Sequence, residues 1–98
     1  SEAAVLTNRG IALALDLGRA DDALASFTEA ARAASLAHVP REELLARLYR
    51  GETLLRSGRA EAARADFEAA LGAAVAFDLN GYVGILYLMT TAMSLYVD

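Results

Sequence analysis

Apolar residues recur three or four positions apart along almost the whole chain, which is the spacing of one face of an α-helix. No stretch alternates apolar and polar residues as a half-buried strand does. Helix-breaking residues divide the pattern into five segments, and they are Gly18, His38-Val39-Pro40, Gly58 and Asn80-Gly81. We therefore predict an all-α chain of five helices.

Residues that favour helix ends support these boundaries. We predict that Gly18 and Gly58 end the first and third helices in a left-handed conformation, because glycine adopts a positive φ without steric cost. Pro40 suits a first helical turn, where its missing N–H is not needed. Carboxylates in the predicted first turns are explained by the helix dipole and not by acid–base chemistry. They are Asp21, Asp22, Glu42, Glu43 and Glu61.

One segment of the chain occurs twice. Residues 58–74 repeat residues 18–34 at an offset of 40, and 9 of the 17 positions are identical. The repeated residues include Gly-Arg-Ala at the start and a later phenylalanine, Phe27 in one copy and Phe67 in the other. A fixed period of this length is typical of solenoids, in which each unit buries its apolar face against its neighbours. We therefore predict a binding scaffold built from helical hairpins.

A small residue in one helix, a glycine turn and Ala-x-x-x-Phe-x-x-Ala in the next helix resemble the tetratricopeptide repeat. The matching residues are Gly51, Gly58, Ala63, Phe67 and Ala70 in one copy and Gly10, Gly18, Ala23, Phe27 and Ala30 in the other. The resemblance implies antiparallel hairpins stacked as a right-handed solenoid, with Phe27 and Phe67 in the core. It implies one domain over 1–98 with about two and a half repeats: repeat one at 2–38, repeat two at 40–78 and an extra apolar helix at 81–98.

The chain departs from the family pattern in its period. Forty residues exceed the ~34 usual for this repeat, as in the longer-helix variants of bacterial transcription activators and signalling ATPases. The first copy also carries one more residue between its glycines, since Gly10 and Gly18 are 8 positions apart whereas Gly51 and Gly58 are 7 apart. Arg9 stands before one of these glycines and Arg50 before another. Each arginine either buries its stem and exposes its head or binds a ligand.

The resemblance also implies a groove, because in this family the first helices of successive units line a concave surface that holds a peptide or a partner helix. When the groove positions of the family are matched to this chain at Gly10 and Gly51, the expected groove includes Ala4, Thr7 and Ile11. Its expected partner-binding residues are Asn8, Leu45, Leu48, Tyr49, Glu52 and Arg56. Such a groove suits an amphipathic helix or an apolar peptide. Tyr49 is either an anchor for the partner or a packing residue between neighbouring helices.

The last segment differs from the rest because residues 79–97 carry no charge. A helix this apolar is expected to be buried on more than one side. One explanation is homo-oligomerisation through Ile85, Leu88, Met89, Leu95 and Tyr96, and another is a third repeat that docks in its own way. A membrane span is a third explanation, which Asp78 and Asp98 at the flanks disfavour.

Composition excludes several classes of protein. Ninety-eight residues suit one domain, the lack of Cys excludes disulfides and thiolate metal sites, and one His leaves no catalytic set. We therefore predict neither an enzyme nor a cofactor or metal site. A net charge of −4 argues against direct nucleic-acid binding. The start of the chain has no basic signal region, which favours the cytoplasm, and an alanine-rich chain without Lys suggests a GC-rich bacterial genome.

The function predicted from these patterns is a non-catalytic protein–protein interaction module, part of a larger bacterial regulatory or scaffold protein. The alternative is a structural domain that self-associates through the uncharged C-terminal helix at 81–98.

Overall fold

The computed structural model describes residues 1–97, and the side chains of all of these except residue 17 and residues 94–97. Its helices are α1 (Glu2–Ala14), α2 (Ala20–Leu36), α3 (Pro40–Arg56), α4 (Ala60–Ala76) and α5 (Asn80–Val97), with a 3₁₀ turn at Leu17–Arg19. No strand occurs among the described residues, and 87% of the chain is helical. The predicted all-α class with five helices is confirmed.

Each helix packs on the next one along the chain, and α1 also contacts α3. The connections are short, so consecutive helices run antiparallel and form hairpins. We call α1–α2 the first hairpin and α3–α4 the second hairpin. This packing is consistent with stacked hairpins.

In each hairpin a glycine of the first helix packs against a phenylalanine of the second helix. A Cβ atom placed on Gly10 would lie 2.5 Å from Cε1 of Phe27, and one on Gly51 would lie 2.6 Å from Cε1 of Phe67. Side chains do not tolerate such distances, so any larger residue must displace the ring or move the helices apart. Both phenylalanines are fully buried, and their predicted place in the core is confirmed.

The larger part of the core lies between α3, α4 and α5. Its buried residues form one cluster: Leu44, Leu48, Leu54, Ala63, Phe67, Ala70, Ala74, Leu86 and Met93. A smaller cluster of Ala30, Ala31 and Ala46 joins α2 to α3. The small side chains of these alanines allow the two helices to pack closely.

Helices α2, α3 and α4 end in the same way, with one left-handed residue. These residues are His38 (φ 58°), Gly58 (φ 79°) and Asp78 (φ 59°). After each of them, the next N–H donates to a carbonyl of the last helical turn, as Val39 N–H does to Ala34 O at 3.0 Å. The prediction for Gly58 is confirmed. His38 and Asp78 lie 40 residues apart, which is the period of the repeat. They occupy equivalent positions with the same backbone conformation, although their side chains are chemically unrelated.

The prediction for Gly18 is wrong. Gly58 is the only glycine with a positive φ among residues 1–97. Gly18 lies in the 3₁₀ turn, and its N–H donates to Asp16 Oδ1 at 3.0 Å. The extra residue of the first copy gives this connection room for a 3₁₀ turn capped by a side chain. Helix α1 ends at Ala14, before this turn.

Helix α5 packs on the helix before it, α4, as α3 packs on α2, but its described residues do not contact the first helix of the previous hairpin as those of α3 do. Its buried residues Leu86 and Met93 lie 40 positions after Ala46 and Thr53, which are buried in α3. No described Cα atom of α5 lies within 8 Å of α3, whereas α1 and α3 do approach each other that closely. Helix α5 therefore rests on α4 and does not stand beside α3 as α3 stands beside α1. Among residues 1–97 no helix is both long and apolar enough to cross a bilayer.

Candidate partner-binding groove

Helices α1 and α3 lie side by side and border a cavity of about 220 Å³ that is open to solvent. We call it the α1–α3 groove. Its lining residues from α1 are Ala4, Thr7, Asn8 and Ile11, and those from α3 are Arg41, Glu42, Leu45 and Tyr49. Side chains four residues apart lie above one another on a helix, so α1 contributes the neighbouring pairs Ala4–Asn8 and Thr7–Ile11, while Arg41, Leu45 and Tyr49 form one row of α3.

The structure brings part of the predicted site together. Asn8 is exposed, and Leu45 and Tyr49 are half-buried, all around this one cavity. Glu52 is half-buried but does not line the cavity. Arg56 is exposed and borders a separate depression of about 400 Å³ near the turns of both hairpins.

The assignment of Leu48 to the groove is corrected. Its side chain is 8% exposed and packs in the core cluster with Leu44 and Phe67. Three residues of helix turn Leu48 by about 60° from Leu45, and this rotation places it against α4 and not in the groove. Sequence spacing alone did not separate these neighbouring faces of α3.

Tyr49 both packs between helices and borders the groove. Its ring stacks on Phe27 with the centroids 6.1 Å apart and an interplanar angle of 17°. Offset aromatic pairs at this distance attract each other beyond the area that they bury. The groove side of Tyr49 is thus held in place by the core of the first hairpin.

Two charged groove residues, Arg41 and Glu42, were missed by the sequence interpretation. Ser1 Oγ donates to the Glu42 carboxylate, at 2.8 Å to Oε2, and accepts from Ala4 N–H at 3.1 Å. Ser1 thus caps α1 and links it to the first turn of α3. Arg41 lies four residues before Leu45, which is the spacing of one helix face and the signal that would have found it.

A buried ion pair lies next to the glycine of the second hairpin. Asp66 is 4% exposed and binds the guanidinium of Arg50 with both oxygens, at 2.8 Å from Nε to Oδ2. Nη1 of Arg50 donates to Thr28 Oγ1 at 3.1 Å, and Nη1 of Arg47 lies 3.8 Å from Asp66. The cluster ties α2, α3 and α4 together. Of the two alternatives considered for Arg50, the exposed head is wrong, because its guanidinium is bound to Asp66.

The hydrogen bond from Arg50 to Asp66 raises the pKa of Arg50 above its ordinary value, and burial opposes this rise only in part. A basic group whose pKa is raised by folding stabilises the fold. This contribution is fully present at pH values below the pKa that the group has in the unfolded chain. The contribution is lost only as the pH rises through the folded-state pKa. Since arginine already titrates far above neutrality, Arg50 remains charged throughout the neutral pH range.

The first hairpin has a different arrangement at the same place. Ser26 occupies the position of Asp66, and its hydroxyl donates to Leu6 O at 2.8 Å. Arg9, which corresponds to Arg50, is exposed and forms no ion pair with a residue in the described part of the chain. Its predicted exposed head agrees with this placement.

A cavity larger than the α1–α3 groove does not belong to the predicted site. It measures about 430 Å³ and lies where the end of α2, the start of α3 and the last turns of α4 meet, beside His38, Pro40 and Phe77. Within residues 1–97 no three acidic or histidine side chains are grouped closely enough to hold a metal ion.

No protein-family model matches this chain, and no curated protein or solved structure is significantly similar to it. The interpretation of the α1–α3 groove therefore depends on the geometry described above and on the resemblance of the repeated residues.

Proposed function

We propose that this chain is a non-catalytic protein–protein interaction module with a tetratricopeptide-like right-handed solenoid, which binds a peptide or a partner helix in the α1–α3 groove. We further propose that it serves a larger cytoplasmic bacterial protein with a regulatory or scaffold role. The observation that carries the proposal is the cavity formed jointly by the first helices of both hairpins. The glycine–phenylalanine contact in each hairpin supports the assignment of the repeat.

The size and chemistry of the groove favour a peptide over a small molecule. A volume of about 220 Å³ is below the range of about 300–1,000 Å³ that is usual for small-molecule sites. Ile11, Leu45 and the ring of Tyr49 offer apolar contacts, while Asn8 and Arg41 offer polar ones. This combination suits one large apolar side chain of a partner with an acidic or backbone acceptor group beside it.

The groove is also held in a fixed shape before a partner binds. The stacking of Tyr49 on Phe27 fixes one wall, and the hydrogen bonds of Ser1 to Glu42 fix the spacing of α1 and α3 at one end. A site that is already ordered loses less conformational entropy on binding. We therefore expect binding without a large rearrangement of α1 and α3.

Affinity measurements on substituted chains test the proposal. Peptides are selected from a displayed library against the intact chain, and the dissociation constant of the best peptide is measured by calorimetry. We expect Tyr49→Ala to weaken binding by about tenfold or more, because buried tyrosines often dominate interfaces. Asn8→Arg, at an exposed groove position, should block the same peptide without loss of helicity.

Tyr87→Ala provides the matched control, since Tyr87 is an exposed tyrosine on α5 and lies outside the groove. Selected peptides whose affinity is unchanged by both groove substitutions would rule out the α1–α3 groove as the binding site. Equal losses in Tyr49→Ala and Tyr87→Ala would also count against it.

A second function is favoured by the surface of α5. Ile85, Tyr87 and Leu88 are 53%, 63% and 68% exposed on a helix without charge. Exposed apolar side chains grouped on one helix are typical of an interface, and we propose self-association as this alternative function. Of the residues predicted for this contact, Met89 is half-buried against the core, and the side chains of Leu95 and Tyr96 lie outside the described ones.

The mass of the chain in solution tests the alternative. Light scattering over a hundredfold range of concentration should show a rise towards a dimer mass, because association through one helix is governed by mass action. A monomer mass throughout that range would contradict self-association.

A further inference from the structure

One face of α5 has no partner within the described chain. We call it the free face, and its exposed residues are Gly81, Gly84, Ile85, Leu88, Thr91 and Ala92. At 100° per residue these positions fall within one third of the helix circumference. Leu86 and Met93, which are buried against the core, lie on the opposite side.

The preceding repeat shows what kind of element covers such a face. In α3 the equivalent residues, 40 positions earlier, are Leu44, Leu48 and Gly51, and α4 buries all three. Their counterparts Gly84, Leu88 and Thr91 are exposed. The free face therefore continues the surface that an antiparallel helix covers in the second hairpin.

A helix like α2 or α4 does not fit this surface in the same register. Both of those helices insert a phenylalanine ring at a glycine, and a Cβ at Gly51 would lie only 2.6 Å from the ring of Phe67. Thr91 occupies this position in α5 and carries a branched side chain. The covering helix must instead present small residues in place of a phenylalanine opposite Thr91.

Helix α5 itself presents such residues. A two-fold axis at the level of Leu86 places Leu88 opposite the partner's Gly84 and Thr91 opposite the partner's Gly81. A Cβ on Gly81 or on Gly84 would meet no atom within 4 Å, so both positions are open to an approaching side chain. One helix therefore supplies both the open positions and the side chains that fill them in its partner, as the self-complementary surface of a two-fold dimer requires.

We propose that two copies of this chain pair through antiparallel α5 helices, with Leu88 and Thr91 of each copy packed on Gly84 and Gly81 of the other. The inference rests on the self-association proposed above and adds its geometry. The lack of charge over residues 79–97 means that close approach brings no like charges together. A single pair of helices gives a small interface, so the dimer forms reversibly and depends on concentration.

Disulfide cross-linking tests this geometry, and the chain contains no cysteine that would interfere. Gly81→Cys and Thr91→Cys are made in separate chains, which are then mixed and oxidised above the concentration at which the dimer forms. Both positions are exposed helix surface, so neither substitution removes a core contact. The antiparallel pair brings position 81 of one copy beside position 91 of the other.

We expect the mixed disulfide to exceed either homodisulfide by about tenfold or more, because a disulfide needs Cα atoms within about 7 Å. Like positions of the antiparallel pair lie ten residues apart along the axis, which is about 15 Å. Leu88→Asp should abolish both the dimer mass and the cross-link while circular dichroism is unchanged. Leu36→Asp, at an exposed leucine of α2, should preserve both.

The remaining outcomes overturn the inference in distinguishable ways. A dimer that forms homodisulfides at position 91 has parallel helices, which contradicts the geometry but leaves self-association intact. A dimer without any of these disulfides associates through another surface and also contradicts the geometry. A monomer mass at all concentrations refutes both the geometry and the self-association on which it rests.

Discussion

The two hairpins solve the same packing problem with the same pair of residues. Gly10 lies against Phe27 in the first hairpin and Gly51 against Phe67 in the second, and the two clearances agree within 0.1 Å. An aromatic ring between two helices fits only where the facing residue has no side chain. The contact therefore recurs unchanged in both copies, although the turn between the helices differs.

The polar position beside the ring differs between the hairpins. Ser26 is satisfied by one backbone carbonyl, whereas Asp66 needs the guanidinium of Arg50. No buried side-chain donor or acceptor of the described residues lacks a partner. The comparison shows that a neutral or a charged residue can occupy the same buried position, provided that each has its hydrogen-bond partners. We therefore expect the loss of the Asp66 side chain to lower the free energy of unfolding more than the loss of the Ser26 hydroxyl.

The largest expected difference concerns these two polar residues. We expect Asp66→Ala to lower the free energy of unfolding by about 3 kcal/mol, because it leaves the three-quarters-buried Arg50 without its partner. Ser26→Ala should cost about 1 kcal/mol, which is typical of one neutral hydrogen bond. Urea unfolding followed by circular dichroism measures both values.

A double substitution separates the ion pair from simple packing. Arg50→Met with Asp66→Leu removes both charges and keeps much of the volume, so it should cost clearly less than Asp66→Ala alone. If Asp66→Ala and Ser26→Ala prove equally destabilising, the contrast between the hairpins is wrong.

The next largest effect concerns the shared contact. Gly10→Ala and Gly51→Ala should each destabilise the fold by about 2 kcal/mol, because the new Cβ must displace a buried ring. Gly72 of α4 is the matched control, since it is exposed and a Cβ there meets nothing within 4 Å. Gly72→Ala should stabilise by about 0.5–1 kcal/mol, the helix preference of alanine over glycine.

The sign of the effect makes this test sharp. Without the ring contact, alanine would stabilise all three helical positions. Thermal unfolding of the three variants shows the sign directly, and a stabilising Gly10→Ala would mean that α1 and α2 do not approach as described.

The smallest effect compares the two turns. Gly58→Ala should cost about 1 kcal/mol, because alanine is disfavoured at a φ of 79°. Gly18→Ala should change stability by less than about 0.5 kcal/mol, since Gly18 has an ordinary φ and a Cβ there meets only Asp16 Oδ1 at 3.4 Å. Equal costs at both glycines, measured by urea unfolding, would restore the sequence interpretation that the two turns are alike.

The sequence predicted features in which residue type and conformation are tightly coupled. Helical periodicity, Pro40 at a helix start and the paired Phe27 and Phe67 all depend on local spacing or on one irreplaceable side chain. It did not reveal that His38 and Asp78 share a left-handed conformation, because two unrelated residues adopt it at a cost that the helix end offsets. Such positions repeat in geometry and not in identity.

Contacts between different helices were harder to predict. Asp66 pairs with Arg50 across a turn, and the one available signal was an acidic residue within the apolar stripe of α4. Leu48 was misplaced because it lies at the border between two faces of α3. The part of the groove that was predicted followed from the family resemblance, whereas the cap by Ser1 that links α1 to Glu42 depends on how the hairpins stack.

The most direct test of the account is an amide chemical-shift map of the chain bound to a peptide selected without reference to the structure. The account predicts that the largest shifts fall on the facing rows of α1 and α3 around Asn8 and Tyr49, with little change on the outer surface of α2. Shifts concentrated on α2 and α4, with α1 and the start of α3 unchanged, would contradict the proposed groove.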